Sequence, residues 1–445
     1  MTVLAVRAAT GSLARDLIDE NFGIEHGSLS IGGFRVSELT DAYGSPLYVY
    51  DGDVIERRFV WLSRAVAGFA DVFYSIKANP NPAIARVLVE RGAGVEIASG
   101  GELVLALAAG AHPGRILFAG PGKSAEELEF AIAQGVGEIH LETFEEIADV
   151  AAIARRMSRK VDVAIRVNPG SEAQGGAIRM GGKPVAFGFD EEILGDVVRV
   201  IKAHENLTLS GLHLFAGTQI LDSNVLLKQW QHGLSLAARL GQLVGRPLKS
   251  IDLGGGLGIP YYKGDVPLDL DRIGAGVSRL EHAKRADPFT SGAKVMIEPG
   301  RYLVGPAGVY LTRVRAVKFS RDHRFVITDG GMHHHLAASG NLGQVIKRDY
   351  PIAAATRLDA PETAPAIISG PLCTPLDTLA RHAELPELNA GEILAVLQSG
   401  AYGLSSSPVG FLSHPMPAEV LVRGGSHHCI RVRGNFWNPL VNIES

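Results

Sequence analysis

Residues 71–111 read DVFYSIKANPNPAIARVLVERGAGVEIASGGELVLALAAGA, and the order of patterns within them decides the fold. DVFYSIK from Asp71 and GVEIAS from Gly94 are short β-rich runs. Each is followed by a segment, PAIARVLVERG or GELVLALAAGA, with apolar residues at three- and four-residue steps, the period of a helix buried on one face. The alternation continues with ILFAG from Ile116, EIHLET from Glu138, VDVAIRVN from Val161, LSGLHLFA from Leu209, SIDLGGG from Ser250 and KVMIEPG from Lys294. Eight apolar strands, each with a helical segment after it, predict an α/β fold built on a parallel (β/α)8 TIM-type barrel over residues 45–305.

Beyond Arg301 the texture changes. GVYLTRVRAVKFS, FVITDGG, APAIISG, EILAVLQSG, AEVLVRGG and CIRVRG are strands separated by Gly, Pro and charged turns, which predicts a second, all-β domain over 306–445, joined by residues 1–44. The first residues, MTVLAVRAATGSLARDLIDENFG, alternate apolar and charged positions like an amphipathic helix and lack a signal peptide's basic start and apolar core. A net charge of −4 gives no global basic signal for nucleic acid, and no stretch approaches the roughly 18 apolar residues of a membrane span. Two cysteines, Cys373 and Cys429, are too few for a disulfide framework. The expectation is a cytoplasmic protein with neither nucleic acid nor membrane as partner.

A barrel of this kind carries its site where the strands run out at their C-terminal ends. Read in order, those ends hold Lys77, then Glu96, then Arg166. Phe215, Gly217 and Thr218 follow, then Gly254-Gly255-Gly256, and last Glu298-Pro299-Gly300-Arg301. Consecutive glycines let backbone N–H groups approach an anion with no side chain in the way. Alone they are a common turn, but barrels often build phosphate sites after strands seven and eight. Arg301 offers a forked charge to the same phosphate, and alone would be a surface ion pair. Glu298, otherwise one more charge pair, suits a protonated pyridine nitrogen. Lys77, otherwise a solvated strand end, suits a Schiff base with an aldehyde. Together they describe a site for pyridoxal 5′-phosphate.

The motifs YSIKANPNP, GVEIASGGEL, FAGPGKS, IRVNPG, LDLGGGLG, EPGRYLVG, SGPLCTPLD and SGAYG resemble those of the fold-type III pyridoxal-phosphate decarboxylases, which include the diaminopimelate, ornithine and arginine decarboxylases. The resemblance implies that Lys77 carries the cofactor and Glu298 meets its ring nitrogen. It implies that Thr218, Gly256, Gly300, Arg301 and Tyr402 bind the phosphate. Cys373 would return a proton to the substrate carbon after CO2 leaves, reaching in from the partner subunit of a homodimer with shared active sites. Where the family commonly has a histidine stacked on the ring, in a stretch like HxHIGSQ, this chain reads HLFAGTQ and has Phe215; His213 matches the first histidine and is expected to be structural.

The substrate pocket departs further. In family members that act on free diamino acids, an acid follows the catalytic cysteine; here it is Thr374. Residues 330–348, GGMHHHLAASGNLGQVIKR, contain no acid, and the Arg and Tyr that receive the distal carboxylate of diaminopimelate are missing. Three adjacent histidines, His333, His334 and His335, cannot all face one ion from a strand, so no metal is expected; His333 and His334 are expected to line the substrate pocket. GGMHHH, GPLCTP and SGAYG resemble the subgroup acting on amino acids tethered to acyl carrier proteins in antibiotic biosynthesis, the butirosin-type glutamyl-carrier-protein decarboxylases. That resemblance implies α-decarboxylation of carrier-bound glutamate, aspartate or 3-methylaspartate. Arg179, Lys183, Lys347 and Arg348 are candidates for docking the acidic carrier, with solvated charges as the plain alternative. Residues 171–186, Gly-rich and polar, are a candidate mobile loop. A decarboxylase of a free amino acid such as diaminopimelate, or of a siderophore-type intermediate, stays open, as does a non-catalytic cofactor-binding relative.

Overall fold

The computed structural model describes residues 12–170, 178–179, 184–215, 217–342 and 347–436, and the chain divides into two compact units. One comprises Glu56–Ile259 and Val266–Leu303. Its strands are β1 Asp71–Ser75, β2 Gly94–Ile97, β3 Ile116–Phe118, β4 Glu138–Leu141, β5 Val161–Asn168, β6 Leu207–Leu214, β7 Ser250–Asp252 and β8 Lys294–Ile297. Neighbours in sequence pair in parallel, β8 pairs with β1, and β4 pairs with β5, so the ring closes. All eight strands were legible as apolar runs.

Helix starts follow from the residues between the strands. Asn81 accepts the N–H of Ala83 at 3.0 Å and Pro82 opens the helix Pro82–Val89, so the Asn-Pro break after β1 is a capped helix start. Ser99, Ser124 and Thr143 cap Gly100–Ala108, Ala125–Gln134 and Phe144–Arg156 in the same way.

Strand alternation fills the barrel interior with polar groups. Phe73, Leu117 and Met296 form one small apolar cluster, and Gly94 has no side chain where the Phe73 ring lies. Ser75, Glu96, Glu138, His140, Arg166, His213, Ser250, Asp252 and Glu298 are all buried. The pairing register sets His213 between Arg166 and Asp252. Gly211, one pleat earlier, leaves room for Ser250.

The other unit comprises the described part of residues 1–55, Pro260–Asp265 and the described part from Val304 onward. Its nine-stranded mixed sheet is built on the long strand Gly308–Ser320, which pairs with Leu47–Asp51, His323–Thr328 and Ile393–Val396. Helix Leu13–Asn21, capped by Ser12, packs Leu17 and Ile18 onto the core that Leu47, Val49, Val309, Leu311 and Val420 share.

The expected boundary at residue 45 is corrected. Leu47–Asp51 is buried along its whole length and pairs in parallel with Ala418–Arg423, so it belongs to the sheet and not the barrel. Leu47–Asp51 was not read as a strand, nor were Gly23–Glu25, Ile352–Ala354 and Thr378–Leu385; the last carries Arg381, His382 and Glu384 among its apolar residues, which hid its period.

Candidate active site

β1 ends at Ser75, and Lys77 sits in a single 3-10 turn, Ile76–Ala78, not on the strand as expected. Its Nζ is 3.0 Å from both carboxylate oxygens of Glu96, which is 2 % exposed in its side chain. Ser75 donates its hydroxyl to the same carboxylate at 2.5 Å. Two neighbouring strand ends thus fix an amine on a buried anion.

The glycine run after β7 has the close backbone approach its composition implies. Gly254 and Gly256 have φ of +69° and +93°. A Cβ at Gly256 would fall 2.7 Å from the Gly217 carbonyl oxygen. One at Gly300 would fall 2.9 Å from Ala78 Cβ. Gly217–Thr218 pairs antiparallel with Ile178–Arg179, so the backbone of Arg179 lies beside these candidate phosphate residues. The rest of the expected mobile loop, Lys183 included, lies largely outside the described residues. Pro299 accepts the Ser75 N–H at 3.4 Å, Arg301 opens the short helix Arg301–Val304, and Phe215 follows the last residue of β6.

Beneath these groups lies a cluster that sequence reading recognised only in part. His140, His213, Asp252 and Glu298 are fully buried, with one polar atom of each within 4.8 Å of the others. His213 Nε2 is 3.5 Å from Glu298 Oε2. Burial lowers the His213 pKa to about 4, against the pull of Glu298. Burial works to raise Glu298, but His213, Asp252 and Lys77 prevail and hold it well below the usual carboxylate range. Asp252 moves the opposite way, raised by burial and then by the charge of Glu298. Glu298 Oε1 is buried and has no hydrogen-bond partner among the described residues. A ring N–H placed there would satisfy it.

A second missed network supports Arg166. Glu142, just past β4, accepts Arg166 at 2.7 Å, Gly120 N–H at 2.8 Å and Gly188 N–H at 3.1 Å. Lys123, in the FAGPGKS motif, gives its ammonium to Gly120 O, His140 O and Glu146 Oε1 at 2.7, 2.7 and 2.6 Å. Burial lowers Lys123 and raises Glu146, each against the attraction of the other. Glu146 in turn accepts the Glu142 N–H at 2.7 Å. A cavity of about 500 Å3 lies away from all this, between the outer helices Ser223–Val244 and Leu270–Ala286.

The remaining expected residues lie in the sheet unit. His333, His334 and His335 occupy a turn instead of the expected strand, and all three are buried. His335 meets Ser399 Oγ at 2.9 Å and His334 meets the Pro415 carbonyl at 3.1 Å. Burial lowers the pKa values of His333, His334 and His335 to about 4, 2 and 3. The His333 and His334 rings lie against each other, tilted by 41° with centroids 3.7 Å apart. Cys373 is exposed, in the loop between strands Ala364–Ser369 and Thr378–Leu385. Asp377 clamps that loop to the histidine turn, accepting Met332 N–H at 2.6 Å and Leu372 N–H at 2.8 Å. Thr374 N–H closes the loop on Leu372 O at 2.8 Å. Tyr402 has φ +54°, and its carbonyl accepts Ser406 Oγ at 2.6 Å.

A half-buried glycine cradle, a buried carboxylate oxygen that a ring N–H would satisfy and a poised amine fit a phosphorylated pyridine aldehyde. Known proteins agree. The family described as "Pyridoxal-dependent decarboxylase, pyridoxal binding domain" matches residues 52–305. An L-glutamyl-[BtrI acyl-carrier protein] decarboxylase of Niallia circulans is 39% identical over 403 residues, 90% of this chain and 94% of that protein. The diaminopimelate decarboxylase of Aquifex aeolicus is 36% identical over 412 residues, 92% of this chain and 94% of that one. The crystal structure of M. jannaschii diaminopimelate decarboxylase with L-lysine superposes with a TM-score of 0.87 at 26% identity, covering 96% of this chain and 98% of that one. Among the described residues no helix is long and apolar enough to cross a membrane. Since the match spans the barrel and continues through the sheet unit, the chain belongs to the pyridoxal-dependent decarboxylases and is a pyridoxal 5′-phosphate-dependent carboxy-lyase.

Proposed function

We propose that the protein removes the α-carboxyl group of an acidic amino acid, glutamate, aspartate or 3-methylaspartate, held through its side-chain carboxyl on an acyl carrier protein. The observation that carries this reading is the lack of an acid to receive a distal ammonium. Residues 330–348 contain none and Thr374 follows Cys373. The acids nearest in sequence to this segment and to Thr374 are already engaged. Asp329 accepts Ser45, Thr312 and the Arg313 N–H. Asp349 accepts the N–H groups of Arg381 and His382 at 2.8 and 2.7 Å. Asp377 holds Met332 and Leu372. An ammonium buried without a counter-charge costs several kcal/mol, whereas a thioester carries no charge to compensate.

Pyridoxal 5′-phosphate, when bound, supplies an aldehyde for amine capture and a ring that accepts the electron pair left when CO2 departs. Lys77 provides the amine that the substrate amine replaces, and Glu96 with Ser75 orients it. Glu298 Oε1 keeps the ring nitrogen protonated. The N–H groups of Gly255, Gly256 and Gly300, with Thr218, Arg301 and Tyr402, would hold the phosphate, while Gly254 N–H stays on Asp252 Oδ1. Arg166, fixed by Glu142, and Phe215 would lie beside the ring. Cys373 returns one proton to the α-carbon, from the partner subunit of a homodimer, and His333 and His334 line the substrate side. Arg348 stacks over the Tyr262 ring at 3.7 Å. With the neighbouring Lys347 and Lys263 it forms a cationic patch that suits an acidic carrier.

Intact mass of a carrier protein loaded with glutamate or aspartate through the side-chain carboxyl, before and after incubation with enzyme, tests the proposal. Loss of one CO2 from the carrier species alone is expected. Turnover of free diaminopimelate, lysine or ornithine with the carrier untouched would refute it.

A further inference from the structure

The cluster beneath the site contains two carboxylates and two imidazoles in a space where one polar atom of each lies within 4.8 Å of the others. Asp252 is 0 % and Glu298 4 % exposed. Two carboxylates so close in a dry interior cannot both be ionised, so one holds a proton. Their surroundings decide which. Lys77 from the end of β1 and His213 from β6 are the cationic or proton-bearing groups that act on Glu298, and His213 approaches it to 3.5 Å, while Arg166 from β5 acts on His213. Asp252 faces Glu96 from β2, Glu298 after β8 and His140 from β4. His140 stands closer to Glu138 Oε1, at 3.2 Å, than to Asp252 Oδ2, at 4.0 Å. Glu138 in turn accepts the Ser250 hydroxyl. Among the described residues Asp252 receives the Gly254 N–H at 2.9 Å on Oδ1, which leaves Oδ2 to carry a hydrogen.

We infer that Asp252 is a positioning residue that stays protonated at neutral pH and thereby leaves Glu298 as the single anion facing the cofactor's ring nitrogen. Asp252 also ties the proton balance to the cradle, because its Oδ1 holds the Gly254 N–H that opens the glycine run. Burial and the charge of Glu298 act on Asp252 in the same direction. This inference rests on the reading that Glu298 meets the ring.

Infrared difference spectroscopy of the holoenzyme at neutral pH tests it through the C=O stretch of a protonated carboxylic acid. That band is expected to shift when aspartate carboxyls are labelled with 13C, to stay put when glutamate carboxyls are labelled, and to vanish in Asp252→Asn. Should Asp252→Asn fail to fold, Asp252→Ser, which keeps an acceptor for Gly254, takes its place. A band that moves with the glutamate label, a band that survives the Asp252 variants, or no band at all would overturn the inference. Cofactor affinity of Glu298→Gln is measured alongside. A loss of about tenfold or more, one charge-assisted hydrogen bond, supports the ring contact. Unchanged affinity would sink that contact whatever the infrared assignment shows.

Discussion

Replacing Lys123 by Met should destabilise the barrel unit severely, and the structure sets the size. The Lys123 side chain is 1 % and that of Glu146 7 % exposed. All three ammonium hydrogens are used, on Gly120 O, His140 O and Glu146 Oε1. Met keeps the aliphatic volume and removes the charge. Two carbonyls then lose their donor and Glu146 keeps one backbone N–H, from Glu142 at 2.7 Å. Breaking one side of a buried ion pair costs about 3–5 kcal/mol. The isolated carboxyl escapes by taking up a proton, so its folded pKa rises further above the unfolded value. The folded state then binds more protons than the unfolded one, and stability falls as pH rises between the two pKa values, by up to ~1.4 kcal/mol per pH unit. The penalty should therefore be smaller at pH 5 than at pH 8. Urea denaturation followed by tryptophan fluorescence measures it, since Trp61 and Trp230 both lie in the barrel unit. Lys123→Met/Glu146→Gln should recover part of the loss. A single-variant penalty below about 1 kcal/mol, or a double variant no better than Lys123→Met, would refute the reasoning.

Gly256→Ala should weaken cofactor binding and cost roughly 1–3 kcal/mol, because φ is +93° and the new Cβ would meet Gly217 O at 2.7 Å; equilibrium absorbance titration and thermal unfolding check both. Lys77→Ala should abolish decarboxylation, and borohydride treatment of the wild type should leave the cofactor attached to the peptide containing Lys77 and to no other. Asp377→Asn keeps one acceptor oxygen and turns the other into a donor, so it should remove one charge-assisted hydrogen bond, about 1.5–3 kcal/mol, and loosen the Cys373 loop, read as faster iodoacetamide labelling of Cys373 with Cys429 unchanged. Stability should drop on acidification. His333, His334 and His335 have folded pKa values of about 4, 2 and 3, below the ordinary 6.5. Their contribution is complete above pH 6.5 and fades as pH falls below it, by up to ~1.4 kcal/mol per unit for each. A His335→Gln variant should show a shallower acid slope in the same denaturation assay.

The barrel was legible because each strand is an apolar run and each helix has its own cap and period. Lys77, Glu96, Arg166 and Glu298 were legible because a barrel fixes where strand ends point. The inward groups one pleat lower, His140 and Asp252, were harder to see. They stand within strands read as apolar, and only their two-residue spacing from Glu138 and Ser250 marks a shared inner face. Lys123 and Glu146 follow no local rule, since their partnership joins a βα loop to the first turn of the next βα unit's helix. The boundary at residue 45 failed for a related reason: nothing local to LYVYD shows that its partners are Gly308–Leu311 and Ala418–Val422, far along the chain. The histidine turn was misread because three bulky adjacent residues suggest an extended run, whereas backbone hydrogen bonds from His334 and His335 to Gly331 O curl it.

The pairing of Leu47 with Ala418 has a consequence for synthesis. The two residues are 418 − 47 = 371 positions apart, so at about 5–20 residues per second the first waits roughly 20–75 s for the second to leave the ribosome. Every barrel strand emerges within that interval. The newborn chain thus has the means to complete its barrel while Leu47–Asp51, buried along its whole length in the folded protein, still lacks one of its neighbours. An unpaired strand of that kind is a target for trigger-type chaperones and for pairing with another nascent copy. Expression yield should therefore respond to translation speed after codon 305 far more than before it.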